Sequence, residues 1–327
     1  MSKKIRILSI DGGGIRGVIP AMVMAEIEKR TQRPIAELFN LVAGTSTGGI
    51  LALGAVKPAG KGKKAQPQFK AEDMVALYET QGARIFYRSP WRAIRTVGGA
   101  LDEKYPTEGV ESVLEEYFGD TMLSEALTNV MVTSYEIEQR APFFFKSTKA
   151  KLNASDDYLM RQAARATSAA PSYFEPVQIR KKTATNTFVD GGVVANNPAM
   201  CAYVEARKMF PGTENILVVS LGAGDLTRPL PYAEAKEWGL AQWLAPLFSL
   251  VMDGMSDSVD YQMRQLMPSV KDEPRSYYRF QATLTEGSDD IDDATRTNIR
   301  VLKMITQDLI STNTNAIDEL CSQLTAE

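Results

Sequence analysis

The chain has 327 residues, 44% of them hydrophobic, with a formal net charge of −3, two cysteines and no histidine. The hydrophobic share supports a sizeable core and excludes a disordered chain, and the weakly acidic balance gives no reason to expect a nucleic acid polymer as partner. Cys201 and Cys321 are too few for a disulfide framework, and the missing histidine excludes a Ser-His-Asp triad within the chain.

The start, Met1-Ser2-Lys3-Lys4, reaches Asp11 after one short apolar run, so no signal peptide is expected and the location is read as cytoplasmic. The longest apolar runs fall short of the ~18 residues a spanning helix needs. Any membrane contact is therefore expected to be peripheral.

Ile5 to Ile10 predicts a strand, followed by Asp11-Gly12-Gly13-Gly14-Ile15-Arg16-Gly17 and a helix with Val18, Met22 and Ile27 on its apolar side. A glycine-rich loop between strand and helix exposes backbone N–H groups at a positive helix end, so it is an anion site. Two uses compete: a nucleotide phosphate cradle and an oxyanion hole. Gly12, Gly14 and Gly17 meet the dinucleotide fingerprint in form, but the acidic residue expected about 20 places on is missing. That region reads Gln32-Arg33-Pro34. Arg16 adds a fixed charge beside the loop, or else makes an ion pair at the sheet edge.

Leu41-Val42-Ala43, then Gly44-Thr45-Ser46-Thr47-Gly48, then Ile50-Leu51-Ala52-Leu53 predict a strand, a sharp turn and a helix. G-x-S-x-G in that setting is a nucleophile elbow, with glycines leaving room for a turn that lifts the serine hydroxyl above the sheet. An elbow on the next strand favours the oxyanion use of the first loop. Lys57 to Gln68 reads as a flexible loop and Ala71 to Thr80 as a helix. In Ala83 to Tyr105, Arg84, Arg88, Arg92 and Arg95 recur at helical spacing among Ile85, Phe86, Tyr87, Trp91 and Ile94. That mixture suits a lid or a membrane-surface contact, with Pro90 arguing against one continuous helix and a mobile loop or a protein interface as the rivals.

Thr107 to Tyr117 predicts a helix with a capping box at Thr107, and Val130 to Tyr135 and Phe143 to Lys146 predict strands. Tyr158 to Ala166 is helical and runs into a small-residue stretch, Thr167 to Phe174, suited to close packing against another backbone. Thr187-Phe188-Val189 is a strand ending in Asp190-Gly191-Gly192. A helix to Phe210 follows, with Pro198 in its first position and Asn197 as its cap. Ile216 to Leu221 is a buried strand ending in Gly222-Ala223-Gly224-Asp225. Alternation of this kind predicts an α/β fold with a mostly parallel central sheet and helices on both faces.

The last third is mostly helical. Leu240, Trp243, Leu244, Leu247, Phe248, Val251 and Met252 form an apolar face, interrupted at Pro246 and read as core or as the contact of a homo-oligomer, with lipid contact as the rival reading. Tyr277 to Ala282 predicts an edge strand, Glu286 to Asp293 a solvated acidic loop, and Leu302 to Leu324 a closing helix. With no repeat and no clear boundary, the chain is read as one domain, 1–327, with a core at 5–225 and a mostly helical part at 226–327.

Without histidine, the base for a Ser46 nucleophile must be a carboxylate or a lysine. Asp190 leads because it ends a strand, where ligands of open α/β sheets gather, and Gly191-Gly192 lets backbone come close. Asp11 and Asp225 also end strands and are its rivals. A free aspartate, with a pKa near 3.9, is a weak base for a serine proton, and burial would raise it toward neutrality.

The three blocks Asp11 to Gly17, Gly44 to Gly48 and Asp190 to Gly192, in that order, resemble the patatin-like phospholipase family. Ala169-Ala170-Pro171 resembles a fourth stretch usual in its bacterial members. The resemblance covers residues 5–225 and implies a three-layer α/β/α fold. It implies a Ser-Asp dyad of Ser46 and Asp190, with the oxyanion held by the N–H groups of Gly12, Gly13 and Gly14 and Arg16 beside them. It implies hydrolysis of lipid acyl esters without metal or cofactor, at a phospholipid membrane surface. Some bacterial members serve in anti-phage defence, switched on by a cyclic dinucleotide, which makes such an activator a further expectation. The rival readings are a nucleotide-binding α/β protein and a non-catalytic lipid-binding protein of the same fold.

Overall fold

The computed structural model describes residues 4–60, 62, 65–87, 105–181, 185–226, 229–286 and 290–326. Of the basic segment, Arg84 makes an exposed ion pair with Glu116 at 2.9 Å, while Pro90, Trp91, Ile94, Arg88, Arg92 and Arg95 lie outside the described residues.

Ten strands are described: β1 (Ile5–Ile10), β2 (Leu41–Gly44), β3 (Asn129–Glu136), β4 (Ala141–Lys146), β5 (Val177–Arg180), β6 (Thr185–Asp190), β7 (Ile216–Leu221), β8 (Asp225–Leu226), β9 (Tyr277–Phe280) and β10 (Thr283–Leu284). Eight of them form one mixed sheet, in the order β5-β6-β3-β2-β1-β7-β9 with β4 also on β3. From β3 to β9 every neighbour in that order is parallel, and β4, β5 and β6 add antiparallel pairs at the other end.

Alternation along β1 builds the layers. Leu8 and Ile10 point into a core shared with the helices Val18–Thr31, Thr47–Val56 and Ala71–Ile85. Ile5 and Ile7 point the other way, onto the helix Ala199–Met209 and Met263 of the helix Leu240–Leu266. A strand covered on both faces must be apolar throughout, and β7, buried at every position, meets that demand. Each fully buried Leu or Ile contributes roughly 1.5–3 kcal/mol over leaving it exposed. The fold is the three-layer α/β/α arrangement, with helices Arg296–Thr312 and Thr314–Thr325 packed on the first core.

Several local expectations are corrected. The helix Thr107–Phe118 has Pro106 as its cap, so Thr107 is the first helical residue and its hydroxyl caps nothing. The helix Leu240–Leu266 runs through Pro246 without a break, because the missing N–H removes one bond from a 27-residue helix. Of its predicted apolar face, Leu247 and Val251 are 46% and 44% exposed and so not core, whereas Met252 is buried. The helix Ala199–Met209 likewise has Pro198 as its cap and not as its first residue; Asn197, one place before, still accepts the Ala199 N–H on its Oδ1 at 3.0 Å. No helix among the described residues is long and apolar enough to cross a membrane.

Candidate active site

The sheet's pairing pattern explains how Ser46 and Asp190 meet. β3 pairs with β2 through Asn129–Val132 and with β6 through Ser134–Glu136, while β4 pairs with Met131–Glu136. Because β4 overlaps both of the others, it must occupy the opposite edge. So β2 and β6 share one edge of β3 and meet end to end. Gly44 stands opposite Val132 and Asp190 opposite Ser134, which brings Ser46, two residues past Gly44, level with Asp190. The Ser46 hydroxyl donates to Asp190 Oδ2 at 2.6 Å. The rule of carboxyl strand ends, which pointed to Asp190, does not apply, since β6 runs antiparallel to β3.

The elbow is tight and strained. Ser46 has φ 54° and ψ −125°, a region that costs a non-glycine residue about 1–3 kcal/mol. A Cβ on Gly44 would lie 2.1 Å from the Gly48 carbonyl oxygen, and one on Gly48 would lie 2.2 Å from that of Ile10, so only glycine fits either place. The helix Thr47–Val56 starts at this turn and directs its N-terminus at the serine. Thr45, fully buried, donates to the Ala195 carbonyl at 2.6 Å and lies 2.7 Å from the Thr133 hydroxyl.

A short segment braces both partners. Thr167 Oγ1 accepts the Ser46 N–H at 2.8 Å, and two residues on the Ala169 carbonyl accepts the Asp190 N–H at 2.9 Å. The small-residue composition of 167–174 signalled close packing against backbone, but not which backbone.

Asp190 is 1% exposed. Burial pushes its pKa up to about 7, against the pull of hydrogen bonds from Ser46 and from the Gly192 N–H at 2.7 Å. The rival carboxylates are engaged elsewhere. Asp11 pairs with Arg279 at 2.7 Å, and Asp225 accepts from the Gln281 side chain at 2.5 Å. Of the three, Asp190 alone lines the cleft described below.

The glycine loop differs from expectation at two positions. The Gly12 N–H is already donated to the Asn196 carbonyl at 3.1 Å, which removes it as an oxyanion donor. The N–H groups of Gly13 and Gly14 have no acceptor among the described residues, and both glycines line the cleft with Ser46. Arg16 is buried, and its guanidinium donates to the carbonyls of Gly13 and Gly224 at 3.4 and 3.5 Å. It holds the loop against the turn after β7 and does not line the cleft.

The cleft beside Ser46 is walled by apolar side chains, among them Ile50, Leu77, Ile85, Phe86, Val110 and Met252. Phe86, Tyr105 and Phe174 form a ring cluster beside it, with centroids 5.5–6.2 Å apart. Its polar lining includes Gly13, Gly14, Ser46 and Asp190, together with Thr47, Tyr78 and Ser168. Such a site suits an apolar chain ending in one reactive carbonyl. Sequence reasoning missed Thr167, Arg279 and Met252 as parts of this region; a lone arginine in the otherwise aromatic run Tyr277 to Phe280 was the one signal for any of them.

A family model for patatin-like phospholipase matches residues 8–203. The chain is 32% identical to Patatin-like protein 2 of Oryza sativa subsp. indica, over 97% of this chain and 86% of that protein. It is 31% identical to Patatin-like protein 4 of Arabidopsis thaliana, over 94% and 84%. Among solved structures, VipD from Legionella pneumophila is similar at 14% identity and a TM-score of 0.35, over 93% of this chain and 67% of that one. A match of this extent, with the three ordered blocks gathered in one place, assigns the chain to the patatin-like phospholipase family.

Proposed function

We propose that the protein is a lipid acyl hydrolase of the phospholipase A type, with Ser46 as nucleophile and Asp190 as its base. Ser46 Oγ attacks the ester carbonyl and Asp190 takes its proton. The negative charge on the carbonyl oxygen is held by the N–H groups of Gly13 and Gly14, each such donor being worth roughly 3 kcal/mol. Collapse releases the alcohol, which regains the proton from Asp190, and leaves the acyl group on Ser46. Water, deprotonated by Asp190, then attacks that ester; the acyl–Oγ bond breaks, Asp190 returns the proton to Ser46 Oγ, and the fatty acid is freed.

One observation carries this reading: a strained serine hydroxyl donates at 2.6 Å to a buried aspartate at the polar end of an apolar cleft. A base poised near 7 suits turnover at neutral pH, where an ordinary aspartate would be too weak. The substrate class in this reading is a membrane phospholipid met by peripheral contact, with the apolar cleft and the family in its support. Release of free fatty acid from phosphatidylglycerol vesicles, with Ser46→Ala as the blank, tests it. Equal release by both proteins would refute it. Activation by a cyclic dinucleotide, and with it a role in anti-phage defence, rests on the bacterial resemblance alone. The same assay with and without added cyclic dinucleotide tests it, full activity in its absence being the contrary result.

A further inference from the structure

The face of the sheet beneath the glycine loop is polar at its carboxyl end. By alternation, Ser9 and Asp11 follow Ile5 and Ile7 on one face of β1, Ser220 follows Val218 on β7, and Arg279 follows Tyr277 on β9. The register puts Ser9 opposite Ser220 and Ser220 opposite Arg279, so these side chains form one row. The Arg279 side chain crosses β7, donates to Ser220 Oγ at 2.8 Å, and reaches Asp11 Oδ2 at 2.7 Å. Both partners are nearly fully buried, at 5% and 2% side-chain exposure. The other carboxylate oxygen, Asp11 Oδ1, has no hydrogen-bond partner among the described residues.

Asp11 immediately precedes the loop that offers Gly13 and Gly14 to the cleft. A buried carboxylate there opposes any negative charge growing on the substrate oxygen, because charges interact strongly where water is excluded. A second contact comes from the same part of the chain: the Ile291 carbonyl accepts the Ile15 N–H at 2.8 Å. That carbonyl lies so close to Gly14, which has φ +58°, that a Cβ there would be 2.0 Å from its oxygen. Arg279 and Ile291 therefore hold the loop at both ends, although they lie outside the matched family region, 8–203.

We infer that Arg279 is a positioning residue for the oxyanion loop, offsetting the charge of Asp11 and fixing the loop's start, so that the C-terminal part completes the site. This rests on the hydrolase reading above.

The experiment compares wild type, Arg279→Gln, Arg279→Lys and the double variant Asp11→Asn/Arg279→Gln on a soluble butyryl ester. Affinity for a trifluoromethyl ketone, which forms a tetrahedral adduct, is measured alongside thermal unfolding. Arg279→Gln is expected to lower kcat about a hundredfold, the scale of losing one oxyanion donor, with KM nearly unchanged. Affinity for the ketone should fall in proportion. Arg279→Lys, which keeps the charge, and the double variant, which removes the opposing carboxylate, should each recover about tenfold of that loss. Wild-type kcat in folded Arg279→Gln, or a loss of stability in it without loss of ketone affinity, overturns the inference. If that variant does not fold, Arg279→Lys and the double variant decide the matter: equal activity in both and wild type overturns it. An inactive wild type would instead sink the hydrolase reading.

Discussion

Ser46 and Asp190, separated by 144 residues in sequence, are neighbours because β2 and β6 divide one edge of β3 between them. The distance between the two side chains is thus set by backbone pairing on a single strand, and rotamer choice has little to adjust. Rigid strand ends are the better place for such a pair, since small displacements of reacting groups are expensive in rate.

The brace at Thr167 should be measurable. Thr167→Val keeps the shape and removes the acceptor of the buried Ser46 N–H. An unsatisfied buried donor costs about 1–3 kcal/mol, so the unfolding midpoint in urea should fall accordingly. The kcat on a soluble ester should fall by about tenfold, as the elbow loses one support. Thr167→Ser, which retains the hydroxyl, should stay near wild type in both assays.

The strain at Ser46 predicts a difference between two inactive variants. Ser46→Ala and Ser46→Gly both lose the hydroxyl, but only glycine adopts φ 54° and ψ −125° at little cost. Relief of about 1–3 kcal/mol outweighs the extra freedom of an unfolded glycine, about 0.5–1 kcal/mol. Ser46→Gly should therefore unfold at the higher urea concentration. The reverse order would argue that the turn is not strained.

Asp190 makes both activity and stability depend on pH. A base must be ionised, so kcat/KM should rise with pH and level off above about 7. For stability the sign is opposite. The folded pKa is raised above that of the unfolded chain, near 3.9, so the folded state holds the proton more tightly. The favourable contribution is complete below about pH 4 and is lost as pH rises to about 7. Asp190→Asn does not titrate there. Its stability relative to wild type should grow by a few kcal/mol between about pH 4 and pH 8, read from urea unfolding at each pH. Parallel pH curves for the two proteins would count against a raised pKa.

The apolar cleft should set chain length. Leu77 lines it from the helix Ala71–Ile85 and is 3% exposed. Leu77→Trp fills part of the space, so hydrolysis of a palmitoyl ester should fall about tenfold or more relative to a butyryl ester, the scale of losing several methylene contacts. An unchanged ratio would place the acyl chain elsewhere.

Much of this was legible in the sequence because it is local. Strand, elbow and helix around Ser46 occupy consecutive residues, and the glycines of G-x-S-x-G are dictated by contacts within the turn and with β1. Asp190 was also identified, though for a reason the topology does not support. What stayed hidden was non-local. Nothing near Gly12 announces that its N–H goes to Asn196, and nothing near Asp11 announces Arg279, 268 residues away. The acidic stretch Glu286 to Asp293 read as solvated from its charges. Yet Ile291 sits on the glycine loop, and Asp292 is buried against the Tyr105 hydroxyl. Composition reports the average environment of a segment, whereas the contacts here are made by single groups, the Ile291 carbonyl and the Asp292 carboxylate.

The central claim is that a carboxylate activates Ser46 for attack on an acyl carbonyl. The most direct measurement is the rate of covalent modification by a fluorophosphonate, with the labelled residue located by peptide mass spectrometry. Modification of Ser46 in wild type is expected, with none in Ser46→Ala and a rate at least about a hundredfold lower in Asp190→Asn. Labelling that persists in Ser46→Ala, or proceeds at full rate without the Asp190 carboxylate, would contradict it.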